Sequence, residues 1–270
     1  MKNIHLIAGL PRSGSSLLCN ILNMNPNFYA TSTSPMVDIL RNIRSTFSHN
    51  PTFKTHNRLE EFESMRKGMR GFINGFYEDK NIVFDKSRGW TTNLMLLDDI
   101  LGHKNTKVIW TYRDPIDVVS SIEKRYRETI LLENIDETTF DFSTLEKRVE
   151  HFIGNGGLVG RPVWLLDDIQ KMGYSNRILI VKYRDLTENP QLILNQIHEF
   201  LGEENYDYDK NNFTDLKQSI FEMDSYYNYK FIHDIVEGKI FYKKHENILT
   251  NDLIEKINKR FSWINSLIKN

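Results

Sequence analysis

Short apolar runs alternate along this chain with longer stretches in which apolar residues return every three to four positions. Ile4 to Ala8 is a strand-sized run that ends at Gly9. After a glycine-rich turn, Leu17, Leu18, Ile21 and Leu22 fall at helical spacing, predicting a helix over 15–24 that Asn25-Pro26-Asn27 stops. Residues 35–48 and 57–78 carry polar helical patterns. Ile82-Val83-Phe84 predicts a second strand, and 92–101 a helix ended by Gly102. Lys107 to Tyr112, β-branched and aromatic, is the clearest strand. Asp114 then suits a helix N-cap and Pro115 the first helical position. Ile178 to Val181 predicts a further strand and 191–201 a helix closed by Gly202. Residues 203–250 read as loop-rich, and 254–268 as one more amphipathic segment.

Strand, crossover helix and strand in repetition imply an α/β fold, a mainly parallel sheet flanked by helices with helical insertions. With no internal repeat and no long Gly/Ser linker, a single domain over 1–270 is expected. The stretch containing Gly154, Asn155, Gly156, Gly157 and Gly160 follows no strand and lacks dinucleotide spacing, so it reads as a flexible loop between helices.

Composition narrows the function by exclusion. The formal net charge is -1, which gives no overall pull toward nucleic acid or an anionic membrane, so any anion site is local. No apolar stretch reaches the roughly 18 residues of a membrane span, and the N-terminal run is too short for a signal peptide. Cys19 is the only cysteine, which rules out an internal disulfide and a Cys-rich zinc site and agrees with a cytoplasmic protein. The eight histidines show no H-x-x-x-H spacing, so no metal is expected.

The first strand runs into Gly9-Leu10-Pro11-Arg12-Ser13-Gly14-Ser15-Ser16, the G-x-x-x-x-G frame of a phosphate loop between strand and helix. Glycines let successive N–H groups turn inward, and the helix start adds positive potential. The hydroxyls of Ser13, Ser15 and Ser16 can add hydrogen bonds, and Arg12 offers a planar fork for phosphate or sulfate oxygens. A nucleoside triphosphate loop has Lys after the second Gly; here that position is Ser15, and the cation is Arg12.

Pro-Arg-Ser-Gly-Ser-Ser-Leu-Leu after a first strand resembles the 5′-phosphosulfate loop of the sulfotransferase family, nearest its tyrosylprotein and carbohydrate branches. Val108-Ile109-Trp110-Thr111-Tyr112-Arg113-Asp114-Pro115, with Ser121 eight residues after Arg113, is similar to the family's 3′-phosphate motif. Tyr183-Arg184-Asp185-Leu186, Pro190 and Phe200-Leu201-Gly202 resemble its third mark, with Arg184 where the family has Glu. These matches span residues 3–202. The resemblance implies the phosphate-loop-like sulfotransferase fold. It also implies 3′-phosphoadenosine 5′-phosphosulfate as donor, with adenosine 3′,5′-bisphosphate as product, and a hydroxylated acceptor: a carbohydrate, a peptide tyrosine or a small molecule. It assigns Arg12, Ser13, Gly14, Ser15, Ser16, Arg113, Ser121 and Tyr183 to the nucleotide.

Sulfuryl transfer needs cations around the sulfate and a group to take the acceptor's proton. Arg12 can meet the phosphosulfate. Lys86, following the second strand, can reach the sheet edge where open α/β sheets bind ligands, and the family places a lysine near the transferred group. For the base, Asp38 and His56 are candidates, each with an ordinary surface role as its alternative. Lys239, Lys243 and Lys244 supply either a late cationic contact or a solvated run. Arg113 also has a bland reading, pairing with Asp114 or Asp117. Two other classes stay open: a phosphate-loop kinase or hydrolase, and a non-catalytic binding protein on a sulfotransferase scaffold.

Overall fold

The computed structural model describes residues 3–31, 33–55, 58–104, 106–128, 141–208, 240, 242 and 247–268. Five strands form one all-parallel sheet in the order β2-β3-β1-β4-β5. They are β1 (Asn3–Gly9), β2 (Phe28–Ala30), β3 (Ile82–Lys86), β4 (Val108–Tyr112) and β5 (Ile178–Lys182). The expected α/β architecture is therefore present. β1 is central and buried on both faces, which is why Ile4 to Ala8 is an unbroken apolar run rather than an alternating one.

Alternate side chains of the strands feed two cores. Leu6, Val83, Val108 and Trp110 face one side. There they pack against α2 (Met36–His49), α3 (Arg58–Phe76), α4 (Leu94–Leu101), α5 (Pro115–Glu128), α6 (Leu145–Ile153), α7 (Gly160–Lys171) and α10 (Asn251–Phe261). Ile7, Phe84, Ile109 and Val181 face the other, against α1 (Ser15–Leu22), α9 (Pro190–Leu201) and Tyr208. The remaining helices are the short α8 (Tyr183–Glu188) and α11 (Ile264–Ile268). Two buried ion pairs tie elements together. Arg177, just before β5, meets Asp98 of α4 at 2.7 Å, and Arg148 of α6 meets Glu123 of α5 at 2.6 Å.

Several local expectations change. Strand β2 has only three residues in polar surroundings and escapes a periodicity reading; the Asn23 side chain supports it by bonding both the N–H and the C=O of Ala30, at 2.7 and 2.9 Å. The second expected strand runs on to Lys86, so that residue closes β3 rather than following it. The helix expected over 92–101 is present as α4, starting two residues later at Leu94 after a 3₁₀ turn at Arg88–Thr92. The glycine stretch after α6 is not a flexible loop. It is a hydrogen-bonded turn with Gly157 N–H on Gly154 O (2.9 Å) and Val159 N–H on Phe152 O (2.9 Å), and Val159 is buried in the core. Among the described residues no helix is long and apolar enough to cross a membrane.

Gly9 closes β1 with φ at 131°, and a Cβ there would lie 2.3 Å from the Thr111 carbonyl oxygen. Gly9→Ala combines a forbidden backbone conformation with a steric overlap. It is expected to lower stability by about 3 kcal/mol or more, read as a lower urea midpoint at unchanged m-value. A loss under about 1 kcal/mol would show that β1 and β4 do not need this close approach.

Candidate active site

The site gathers at the C-terminal edge of the sheet, where β1 and β4 lie side by side while their connections leave in opposite directions. Such a switch point opens a crevice between the two loops. The loop after β1 enters it with two residues in the left-handed region, Arg12 (φ 59°) and Gly14 (φ 86°). The Gly14 carbonyl accepts from Leu18 N–H at 2.9 Å, so α1 starts at Ser15 and its first-turn N–H groups face the loop. Ser13 is buried. Its hydroxyl donates to Leu10 O (2.5 Å) and lies 2.6 Å from the Thr111 hydroxyl. That side chain therefore braces the loop against β4, leaving Ser15 and Ser16, both half-buried, as the loop's more accessible hydroxyls.

The end of β4 completes the crevice. Arg113 is buried, with its guanidinium 3.4 Å from the Arg12 carbonyl and 4.5 Å from the centre of the Tyr183 ring. The Tyr183 ring, from the first residue of α8, also fills the space a Cβ on Gly14 would take, at 2.6 Å. Ser121, in the second turn of α5, accepts from Arg12 Nε at 3.3 Å. Arg12, Gly14, Arg113, Ser121 and Tyr183, spread over 172 positions of the sequence, thus form one contiguous cluster. Arg113 also lies 3.6 Å from Asp117, in the first turn of α5 and likewise buried, so the ion pair weighed for this arginine exists, but in the interior and beside the loop.

Lys86 enters from the other neighbour of β1. Its ammonium donates to the Ser16 hydroxyl at 3.1 Å, which brings a third cationic side chain to the loop. Burial pulls its pKa down, the nearby Cys19 partly offsets this, and Arg88 adds to it. Cys19 itself is pushed up to about 12 by burial, so it stays a neutral thiol.

Other expected residues lie elsewhere. Asp38 is exposed in the first turn of α2 and faces Arg41 at 3.8 Å. His56, Lys239, Lys243 and Lys244 fall outside the described residues. Arg184 points outward to Glu188 (2.8 Å). The sequence reading missed Tyr242, whose hydroxyl donates to Asp117 at 3.1 Å and whose ring lies 5.8 Å from Tyr183. No motif surrounds it, and only the fold carries it to the site. It also missed Thr111 and Thr31, which brace the loop and β3. Among the described residues no group of three or more metal-binding side chains occurs.

A family model described as a sulfotransferase domain matches residues 3–267. The chain belongs to the sulfotransferase family. Among curated sulfotransferases, carbohydrate sulfotransferase 1 of Danio rerio is 30% identical over 105 residues, which cover 36% of this chain and 23% of that protein. The chain thus matches only about a quarter of the length of this relative. Among solved structures, the sulfotransferase domain from the curacin biosynthetic pathway aligns with TM-score 0.53 at 16% identity, covering 98% of each chain. The mouse sulfotransferase SULT7A1 complexed with PAP aligns with TM-score 0.54 at 14% identity, covering 97% of this chain and 84% of that one. These two likenesses concern the fold.

The half-buried Lys86 makes a test that needs no substrate. Below its folded pKa both folded and unfolded states hold the proton, and the full cost of burying the charge is present. As pH rises through that value the folded state loses its proton first. The cost then shrinks until the unfolded lysine titrates near its usual 10.5. Lys86→Met is therefore expected to stabilise the protein at pH 7, by about 1 kcal/mol, with a smaller gain near pH 10. Urea midpoints of both proteins at the two pH values check this. An equal gain at both would place the ammonium in water.

Proposed function

We propose that this sulfotransferase-family chain, acting as one domain over 1–270, transfers a sulfuryl group from 3′-phosphoadenosine 5′-phosphosulfate to a hydroxyl acceptor. The observation that carries this reading is the meeting of Arg113 and Ser121 with the Arg12 loop at one switch point. A triphosphate loop has no use for a second cationic site at the end of β4, and it keeps a lysine where this chain has Ser15. A nucleotide with phosphate groups at both the 5′ and 3′ positions has use for both.

The residues fit such a donor. The loop backbone bends through two left-handed residues, and Gly14 leaves no side chain between it and the Tyr183 ring. Three cationic side chains, from the ends of three neighbouring strands, surround it. On this reading the loop N–H groups with Ser15 and Ser16 hold the 5′ end, Arg113 and Ser121 hold the 3′-phosphate, and Tyr183 flanks the nucleotide. When bound, the donor supplies the sulfuryl group for in-line displacement. Arg12 and Lys86 then act as the catalytic cations, meeting negative charge on the sulfate oxygens and on the bridging oxygen as it leaves. Since that charge grows toward the transition state, a preorganised ammonium favours the transition state over the ground state. A carbohydrate is the first acceptor class to screen, because the Danio rerio protein it resembles is a carbohydrate sulfotransferase by name.

Adenosine 3′,5′-bisphosphate is expected to bind far better than ATP or ADP in calorimetry, and Arg113→Ala to weaken it by about 1.5–3 kcal/mol while leaving adenosine 5′-phosphate nearly unchanged. Equal affinity of the wild type for ATP and the bisphosphate would sink the reading. A mutant that loses both adenosine ligands alike would move Arg113 away from the 3′ position.

Lys86→Met separates chemistry from binding. Turnover, followed as sulfuryl mass added to a hydroxylated acceptor, is expected to fall by about a hundredfold or more, with bisphosphate affinity little changed. Near-normal turnover would mean that Lys86 only fills space beside Ser16.

A further inference from the structure

We propose that Asp85 is a positioning residue: its carboxylate fixes the two backbone segments on either side of Lys86, and through them the place of the Lys86 ammonium against α1. The inference rests on the reading of Lys86 as a site residue.

Asp85 and Lys86 are neighbours on β3 and so point to opposite faces of the sheet. Lys86 goes toward α1 and Ser16. Asp85 goes into the larger core, where it is fully buried beside its register partner Leu6 and on the same face as Val83. An aliphatic side chain would suit those neighbours, and a carboxylate there gives up its hydration. Three donors answer it. The Ser34 hydroxyl donates to one oxygen at 2.6 Å, the Tyr77 hydroxyl donates to that same oxygen, and the Trp90 indole N–H donates to the other at 2.5 Å. The donors come from the loop before α2, the residue after α3 and the 3₁₀ turn after β3. One side chain therefore links three segments that the sequence keeps apart.

Two of those links lead back to Lys86. Thr31 and Ser34 hold both peptide groups of the lysine: Lys86 N–H donates to the Thr31 hydroxyl at 2.8 Å, and Ser34 N–H donates to the Lys86 carbonyl at 3.0 Å. Ser34 is the residue that also grips Asp85, and its oxygen accepts from Met36 N–H (3.1 Å) at the start of α2. On the other side, Trp90 anchors the turn that begins two residues after Lys86, while Ser87 N–H bonds Ile7 O at 3.0 Å and keeps the strand end in register with β1. The carboxylate thus sits behind the sheet and holds in place what presents the ammonium in front of it.

Asp85→Asn keeps the side-chain shape but replaces one acceptor oxygen with an NH₂ donor. The Trp90 indole can only donate, so at least one of the ties is lost or rearranged. The test is trace acetylation with acetic anhydride on the full chain, read by peptide mass spectrometry as the labelling rate of Lys86 relative to Lys107. Lys107 is a half-buried lysine bonded to the Phe200 carbonyl, and it reports general loosening. The Lys86:Lys107 ratio is expected to rise at least threefold in a folded Asp85→Asn protein. An unchanged ratio would overturn the proposal, because a purely structural role would loosen both lysines together. If Asp85→Asn fails to fold, Ser34→Ala removes one of the three donors, together with the acceptor for Met36 N–H, and the same ratio decides. Bisphosphate affinity, measured alongside on the wild type, tests the nucleotide reading by itself. Its absence would remove the function proposed for Lys86, while the labelling ratio would still decide whether Asp85 positions it.

Discussion

Everything at the site depends on how closely β1 and β4 meet at their C-terminal ends. Gly9 has no side chain, so its backbone lies directly on Thr111. Leu10 N–H bonds the Thr111 carbonyl at 3.0 Å, and Ser13 returns to the Thr111 hydroxyl. These contacts fix the loop's path before any ligand contact is made. They also bring the residue after β4, Arg113, within reach of the loop backbone. A wider spacing would leave the loop and the arginine as separate features rather than two walls of one crevice.

The chain handles its positive charge locally. With a net charge of -1 it carries no general attraction for anions, yet Arg12, Lys86 and Arg113 converge around eight residues of loop. Arg12 meets the Ser121 hydroxyl, Lys86 the Ser16 hydroxyl at the start of α1, and Arg113 the face of Tyr183 together with the buried carboxylate of Asp117. Partial burial limits the solvent screening of their field. Lys86 shows the cost of that arrangement in its lowered pKa.

Much of this was legible in the sequence, because the informative residues do their work within a few positions of a strand end. Apolar runs marked β1, β3, β4 and β5, the glycine frame marked the loop, and Arg113 with Ser121 marked the second wall. What escaped was set by contacts far apart in the chain. β2 is recognisable as a strand only beside β3 and Asn23. The glycine stretch after α6 looked loose because its packing comes from carbonyls of the preceding helix, which no local pattern reveals. Ser13 looked like a ligand hydroxyl, but its hydroxyl turns toward β4. Tyr242 sits 125 positions from its partner Asp117, in a stretch with no helical or strand period at all.

The pair formed by Arg113 and Asp117 has a consequence for selectivity. The arginine already has an anion within 3.6 Å, supplied by the helix that follows it. A ligand that engages Arg113 therefore exchanges with a resident carboxylate rather than neutralising a bare charge. Exchange of this kind sets a threshold. A singly charged group offers little over Asp117, whereas a phosphate monoester brings nearly twice the charge and three acceptor oxygens. The Tyr242 hydroxyl stays on the carboxylate's Oδ2 and gives it an alternative partner. On the proposed reading the helix carries a built-in competitor, and the crevice responds to the amount of charge an entrant brings as well as to its shape.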